Sequence, residues 1–368
     1  ARIIRNRDVV GEEAIEKFLH GTTADLYDPM LLKDAVKAAE ILCGKTGEKK
    51  KIRVIGDYDI DGVCSSYILA ACLEKCGAEV SVVIPHRIRD GYGLNEKLIE
   101  EAGEDGVDTI LTCDNGIAAF SQIAYAKELG MTVIVTDHHE VPYEVREDES
   151  RQEILPPADA VVDPKQGGCP YPYKGICGAV VVYKLMGIYL EKMVREGTVS
   201  AGEKDMLLQE LLAFAGFATV GDVMELTDEN RILVRYGLRQ IEQSANLGLR
   251  ALLTVNELTQ KRLTGYHVGF ILGPCLNATG RLDTAARALA MFRTKDQAEA
   301  VTIAGELKAL NDSRREMTLF GTEQAMEQIE NTSIKEDKVL VVFLPDCHES
   351  LAGIIAGRIR ERYYKPVF

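Results

Sequence analysis

Several kinds of sequence feature are missing from this chain, and each absence narrows its class. It has no apolar run suited to a membrane span or a signal peptide. Its nine cysteines include no C-x-x-C pair, which favours reduced thiols and a cytoplasmic protein. It does not begin with Met, so we expect a processed or partial chain. A P-loop is excluded, because in "CGKTGEKKK" the first glycine of that motif would fall at Ala39.

Positive charge is also scarce. The sequence has 43 Lys and Arg against 57 Asp and Glu, which gives a net charge of -14. That balance is unlike a protein that binds nucleic acid over a wide basic surface. Basic residues do cluster locally, and each cluster is either a solvated helix face or an anion-binding patch: Arg87 and Arg89; Lys261 and Arg262; Arg314 and Arg315; Arg358, Arg360, Arg362 and Lys365.

The pattern of apolar residues predicts the fold class. With 368 residues, of which 46% are hydrophobic, the chain is long enough for two domains or one large domain with additions. Strand and helix signals alternate, which indicates βαβ units: an α/β fold with a mainly parallel sheet and helices on both faces. The strands are predicted at 52–56, 79–84, 108–113 and 132–136, and the helices between them at 63–76, 94–103 and 118–129.

Four regions are predicted along the chain. Residues 1–45 form an N-terminal helical region, and residues 46–285 form the α/β domain with a helical subdomain. Residues 286–331 connect this domain to the next, mostly through one long helix at 296–331. In residues 332–368, "KVLVVFLP" predicts a strand and "SLAGIIAGRIRERYY" a helix, which we expect to be the truncated start of a second α/β domain.

Three aspartates at alternate positions follow the first strand. In "VIGDYDIDGVCSS", Asp57, Asp59 and Asp61 would point to the same side of an extended chain, where like charges repel. A solvated acidic loop is one interpretation. A calcium loop is another, but an apolar helix follows where further oxygen ligands would be needed. The aspartates lie between a strand and a helix, the usual place for a ligand crevice in an open α/β sheet.

Acidic and imidazole groups recur after later elements. Asp114 follows the third strand in "CDNGI", Asp137, His138 and His139 follow the fourth, and Asp222 follows an apolar helix. A single such group could be a satisfied polar cluster, but recurrence at three strand ends favours a common site. Oxygen and nitrogen ligands without thiolate suit Mn²⁺ or Mg²⁺, and two such ions can hold both oxygens of a phosphoryl transfer. The sequence therefore predicts a site for one or two metal ions.

The motifs "DYDIDG", "CDNGI" and "DHH" resemble the DHH phosphoesterase superfamily. Within it, "PHRIRDGYGL", "NATGRLDTA" and "HESLAGIIAGRIRERYYKPV" resemble the RecJ-type single-strand-specific exonucleases. The resemblance covers roughly residues 50–368 and implies a DHH catalytic domain at 46–285 and the start of a DHHA1 domain at 332–368, with most of DHHA1 and the following OB-fold missing.

The resemblance also implies roles for the acidic and imidazole residues. One metal would be held by Asp59 and Asp114, with Asp57 as a further candidate, and Asp114 would bridge to the second metal. The ligands of that second metal would be Asp61, Asp114, His138 and Asp222. His139 would sit near the scissile phosphate, and Asp137 would orient a histidine.

A second set of residues is predicted to bind the substrate. Arg87, Arg89 and Tyr92 follow the second strand, where guanidinium groups can pair with phosphate and an aromatic ring can stack on a base. The remaining candidates lie in the two later motifs: Asn277, Arg281, His348 and Arg358. Each of these motifs has a packing interpretation too, such as a tight turn at "GYG".

The resemblance implies 5′ to 3′ degradation of single-stranded DNA to mononucleotides, in DNA repair and recombination. A single-strand-binding protein and a RecQ-type helicase are the implied partners. One alternative keeps the metal site for a smaller substrate, as in nanoRNases, phosphatases of 3′-phosphoadenosine 5′-phosphate and cyclic-dinucleotide phosphodiesterases. Another is a catalytically silent DNA-binding scaffold, but such relatives lose metal ligands that this sequence retains.

Overall fold

A parallel sheet forms the centre of the molecule in the computed structural model, which describes residues 2–91, 93–146 and 148–368. Five strands run in the order β2-β1-β3-β4-β7, each parallel to its neighbours, and β5 and β6 form a separate antiparallel pair. The strands are β1 Lys51–Ile55, β2 Glu79–Val83, β3 Thr109–Cys113, β4 Thr132–Thr136, β5 Tyr143–Val145, β6 Arg151–Glu153 and β7 Ala160–Val162. The predicted fold class is confirmed, although the three-residue strand β7 was not predicted.

Helices account for most of the remaining chain. The α-helices are α1 Arg2–Arg5, α2 Glu12–His20, α3 Ala35–Gly47, α4 Ile60–Lys75, α5 Glu96–Glu104, α6 Phe120–Glu128, α7 Gly178–Arg195, α8 Ala201–Gly221, α9 Asp228–Gln243, α10 Leu247–Val255, α11 Gly265–His267, α12 Gly273–Leu282, α13 Ala286–Arg293, α14 Gln297–Glu330 and α15 Glu349–Tyr363. A π-helix, Val268–Leu272, joins α11 to α12, and 3-10 turns lie at Thr23–Asp25, Pro29–Leu31 and Ser333–Glu336.

Alternate strand residues build two apolar layers, one on each face of the sheet. Val54 of β1 and Leu111 of β3 belong to the larger core, with side chains of α3, α4 and α7. Their neighbours Ile55 and Ile110 belong to the smaller core, under α5 and α6. Because successive side chains of a strand point to opposite faces, these fully buried strands need helices on both sides. The carboxyl ends of the strands are left open between the layers.

The C-terminal region is a small unit at the end of a long helix. Helix α14 has 34 residues, close to the predicted 296–331. Its end packs with α15 in a third apolar cluster that includes Ile329 and Ile355. The predicted strand at "KVLVVFLP" is wrong: the described residues there form only an isolated parallel bridge between Leu340 and Val367. A strand needs a paired neighbour, and only the last few residues provide one.

Within the described residues, no helix is both long and apolar enough to cross a membrane.

Candidate metal centre

The aspartate motif forms the turn from β1 into α4. Asp59 is the N-cap of α4, and its Oδ1 accepts hydrogen bonds from the backbone N–H groups of Asp61 at 2.8 Å and Gly62 at 3.1 Å. Gly62 is required here, because a β-carbon would lie 2.4 Å from the backbone oxygen of Asp57. The tight turn holds the three carboxylates close together against their mutual repulsion.

Asp61 is held by a second helix. Its side chain is fully buried, and its two carboxylate oxygens accept hydrogen bonds from the N–H groups of Gly178 at 2.6 Å and Ala179 at 2.8 Å. These donors are at the N-terminus of α7, where unpaired N–H groups and the helix dipole favour an anion. Sequence analysis missed this contact, which joins positions more than a hundred residues apart.

The motif "CDNGI" shapes the end of β3. Asp114 has a φ of 60°, in the left-handed region, and its N–H donates to the carbonyl of Thr136 at the end of β4. The Asn115 amide donates to the carbonyl oxygens of Ile55 at 3.1 Å and Cys113 at 2.9 Å, so it ties β3 to β1. Asn115 therefore has a structural role that sequence analysis missed, although its place beside Asp114 was a signal.

Asp137 orients His139. One carboxylate oxygen lies 2.7 Å from His139 Nδ1, and the other accepts the N–H of Ile117 at 2.9 Å. Burial alone would raise the pKa of Asp137. The hydrogen bonds with His139 and with the N–H groups of Ile117 and His138 have the larger effect, so the pKa lies below its usual value. The bond to Asp137 raises the pKa of His139 to about 9.

The structure brings the predicted ligands into one cluster. His138 Nε2 lies 3.1 Å from Asp114 Oδ1, 3.5 Å from Asp61 Oδ2 and 3.7 Å from Asp222 Oδ2. Each of three residue groups has ligand atoms within 4.8 Å of one another, the spacing that one shared cation requires. The groups are Asp57, Asp59 and Asp114; Asp61, His138 and Asp222; and Asp114, His138 and His139.

The electrostatics of the cluster call for cations. Burial, followed by the charge of Asp59, raises the pKa of Asp57 to about 7. Burial, followed by the charge of Asp61, raises the pKa of Asp222 to about 7. The same two causes raise the pKa of Asp114 well above its usual value. Buried carboxylates this close cannot all ionise without positive charge. Among the described residues, Asp57 Oδ1 and His138 Nδ1 are buried without a hydrogen-bond partner. The donor set thus fits hard divalent cations.

One further carboxylate was missed by sequence analysis. Asp163 follows β7 directly and is fully buried, so the fourth neighbouring strand end also carries an acidic group. Its Oδ1 accepts the N–H of Lys165 at 2.7 Å, and burial raises its pKa to about 7. The apolar run before "DP" in "ADAVVDPK" was the only signal, and it is short.

Two predicted substrate residues lie beside the aspartate turn. The Arg87 guanidinium lies 4.9 Å from the centre of the Tyr58 ring. Arg281 donates from Nη1 to the carbonyl of Ser350 at 2.9 Å. Burial, then the charges of Arg87 and Arg314, lower the pKa of Arg281, so these guanidinium groups share one region.

This row of arginines extends to α15. Burial, then the charge of Arg358, lowers the pKa of Arg314. Arg87, Arg281, Arg314 and Arg358 thus form a basic row, from the aspartate turn to the C-terminal unit. In the sequence, Arg314 was recognised only as part of the basic cluster with Arg315. Its position near Arg281 depends on the packing of α14, which the sequence does not show.

Of the four other predicted substrate residues, two have structural contacts. Asn277 Oδ1 accepts the N–H of Ile60 at 2.9 Å and so fixes the start of α4. His348 is the N-cap of α15, with Nδ1 2.7 Å from Ser350 Oγ. Arg89 is exposed in the loop after β2, and Tyr92 lies outside the described residues.

A cleft opens beside the cluster. It has a volume of about 380 Å³ and is lined by His139, Asp137, Glu140, the "NGIAA" turn and the loop at Gly93. His139 is 47% exposed there, while His138 is 8% exposed. The cleft therefore leaves His139 accessible to solvent, while His138 is covered.

Comparison with known proteins agrees with this geometry. The profile of the DHH family, N-terminal domain, matches residues 51–215. The chain is 35% identical over 366 residues to the single-stranded-DNA-specific exonuclease RecJ of Bacillus subtilis (strain 168), covering 100% of this chain and 43% of that protein. The chain thus spans less than half the length of this relative.

Solved structures give the same result. A crystal structure of exonuclease RecJ bound to manganese superposes with a TM-score of 0.78 at 33% identity, over 92% of this chain and 80% of that one. RecJ from Thermus thermophilus in complex with Mn²⁺ superposes with a TM-score of 0.74 at 31% identity, over 100% of this chain and 51% of that one.

Proposed function

Because this chain belongs to the RecJ family within the DHH superfamily, we propose that it is a metal-dependent exonuclease specific for single-stranded DNA. It would hydrolyse phosphodiester bonds from the 5′ end and release mononucleotides in repair and recombination. The observation that carries the proposal is the convergence of five carboxylates and two imidazoles at one edge of the sheet, within the 4.8 Å spacing of metal ligands. The resemblance found in the sequence is confirmed at the level of the family.

The metal ligands in this proposal are those predicted from the sequence. Asp57, Asp59 and Asp114 would hold one Mn²⁺ or Mg²⁺, and Asp61, Asp114, His138 and Asp222 the other. When bound, the two ions would supply an activated water and offset the charge that develops on the phosphate. The fixed N–H groups of α7 keep Asp61 in place whether or not an ion is bound.

The other residues of the site would orient the substrate. Asp137 fixes the imidazole of His139 through Nδ1, which leaves Nε2 for a phosphate oxygen in the cleft. The basic row of Arg87, Arg281, Arg314 and Arg358 would track the backbone of the strand. Asn277 would act indirectly, by fixing the start of the helix that carries Asp61.

The domain division and the partners are also proposals. Residues 46–285 would be the catalytic DHH domain with a helical subdomain, between the helical region 1–45 and the connecting region 286–331, and residues 332–368 would begin DHHA1. A single-strand-binding protein and a RecQ-type helicase would be partners. The nine cysteines, all free thiols in the structure, suit the proposed cytoplasmic location.

A digestion experiment tests the function. Single-stranded DNA labelled separately at each end is incubated with the chain and Mn²⁺, beside a dinucleotide and a blunt duplex. We expect mononucleotides from the 5′ end of the single strand only, and Asp114→Asn should abolish their release.

Asp205→Asn is the matched control. Asp205 is 73% exposed and lies on α8, about 25 Å along the helix from Asp222. Cutting of the dinucleotide alone would assign the chain to the branch with small substrates. An intact single strand at all Mn²⁺ concentrations would contradict nuclease activity.

A further inference from the structure

Two aromatic side chains are exposed side by side on the helical stretch that leads to Asn277. Tyr266 is 64% exposed and Phe270 is 72% exposed. Their rings stack on one another, with centroids 5.1 Å apart and planes at 25°. Two adjacent aromatic rings form an apolar patch of the kind that marks a binding surface. We call Tyr266 and Phe270 the aromatic pair.

An irregular helix holds the aromatic pair. Helix α11, the π-helix Val268–Leu272 and α12 follow one another without a break. Pro274 has no N–H to donate to the carbonyl four residues before it, which accounts for the widened turn. Such π-turns recur at functional sites. Here the turn coincides with Phe270.

The aromatic pair lies next to the helix end that presents Asp222. Gly265 directly precedes Tyr266, and Gly269 directly precedes Phe270. A β-carbon at Gly265 would lie 3.9 Å from Cγ1 of Val220, and one at Gly269 would lie 3.8 Å from it. Val220 comes two residues before Asp222, at the end of α8. The α11 segment and the π-helix therefore pack on the turn that supplies this carboxylate.

The same helical stretch continues along the metal centre. The Asn277 side chain accepts the N–H of Ile60, next to Asp59, and Arg281 stands one turn further on in the basic row. The aromatic pair and Arg281 are thus at opposite ends of one helical stretch, which lies against Val220 near Asp222 and contacts the aspartate turn through Asn277.

Positive charge accompanies the aromatic pair. Lys261 and Arg262 are exposed just before the helix begins. Cations beside exposed rings are the combination that binds single strands, since the phosphates pair with the cations and the bases stack on the rings. A purely apolar protein partner would not need those cations.

We propose that Tyr266 and Phe270 form a stacking platform for an unpaired base of the strand whose phosphodiester bond lies at the metal centre. The inference rests on the proposed function and adds base recognition to it. The platform explains selectivity for single strands, because a base in a duplex is already stacked and paired and cannot lie on the rings.

The test separates base contacts from phosphate contacts. KM and kcat are measured for a labelled thymidine oligomer, together with the Ki of an abasic oligomer of the same length. In the double variant Tyr266→Ala with Phe270→Ala, we expect KM for the thymidine oligomer to rise roughly 5- to 100-fold. The Ki of the abasic oligomer should stay unchanged, and Tyr266→Phe should retain the wild-type KM.

Two controls keep the result interpretable. Met206→Ala removes another exposed apolar side chain, 65% exposed, about 24 Å along α8 from Asp222, and should change nothing. Phe270→Leu keeps apolar area without a ring and should still raise KM. An unchanged KM in the double variant, or a parallel rise in the abasic Ki, would overturn the platform. A wild-type chain that cuts no single strand would instead overturn the proposed function.

Discussion

At the scale of single residues, small side chains decide the geometry of the metal centre. Gly178 is the clearest case. A β-carbon at this position would lie 3.0 Å from Asp61 Oδ2 and 3.0 Å from Asp114 Cβ. The residue also donates its N–H to Asp61. Its role as spacer and donor could not be predicted from the sequence, where "GICGAVV" is only the start of an apolar helix.

Gly178→Ala should weaken metal binding without unfolding the chain. The added methyl group displaces Asp61 or Asp114, and shifts around metal ligands typically lower affinity by roughly 10- to 100-fold. Isothermal titration with Mn²⁺ measures the effect. Gly187→Ala on the same helix is the matched control, since a β-carbon there meets nothing within 4 Å. Equal Mn²⁺ affinity in the two variants would contradict the spacer role.

Asp137 and His139 should behave as a unit. If Asp137 acts by orienting His139, then Asp137→Asn and His139→Gln should each lower kcat, and the double variant should lose little more than either single variant. Steady-state kinetics of the three variants form a double-mutant cycle. If the losses of kcat in the two single variants multiply in the double variant, Asp137 does not act through its hydrogen bond of 2.7 Å to His139.

At the scale of elements, the sequence predicted regular structure best where apolar patterns were long. Four of the five strands of the central sheet, β1 to β4, and helix α14 lie close to their predicted positions. Buried strands read as apolar runs, and long helices show their period repeatedly. Strand β7 has three residues and was missed. The strand predicted at "KVLVVFLP" is only an isolated bridge from Leu340 to Val367, since strand propensity does not supply a pairing partner.

A buried ion pair joins two of these elements. Lys184 of α7 lies 3.0 Å from Glu229 of α9, with the side chains 4% and 0% exposed. Lys184 also donates to the carbonyl of Tyr27, so the pair holds the N-terminal region against both helices.

Lys184→Met should destabilise the fold by about 3–5 kcal/mol, because the Glu229 carboxylate would remain buried without its positively charged partner. Urea unfolding followed by circular dichroism gives the free energy. The double variant Lys184→Met with Glu229→Gln should recover most of the loss. A double variant as unstable as Lys184→Met alone would assign the loss to packing instead of charge.

At the scale of the whole molecule, charge distribution matters more than net charge. The net charge is -14, yet the half-buried guanidinium groups of Arg281 and Arg314, with the exposed Arg358 near Arg314, concentrate positive charge beside the metal centre. The convergence of the proposed metal ligands was predictable, because parallel strands end at one edge of the sheet. The full basic row was not, because it depends on how α14 and α15 fold back.

The basic row should set the salt dependence of DNA binding. Removing one guanidinium that pairs with a phosphate should lower the slope of log K against log salt by about 0.7 for single strands. Arg314→Gln and Arg87→Gln should each show this change in fluorescence anisotropy. Arg195→Gln is the control, as Arg195 is 74% exposed and lies at the far end of α7 from Gly178. The same slope in all variants would mean that the row does not bind phosphates.

Binding of Mn²⁺ to the purified chain tests the metal centre most directly. Electron paramagnetic resonance reports free Mn²⁺, so a titration gives the number of ions bound per chain. We expect two bound ions for the wild type and for Asp205→Asn, and one for Asp222→Asn, because Asp222 belongs to only one of the two proposed ligand sets. A wild-type chain that binds no Mn²⁺, or an Asp222→Asn variant that binds as the wild type does, would contradict a two-metal centre at this edge of the sheet.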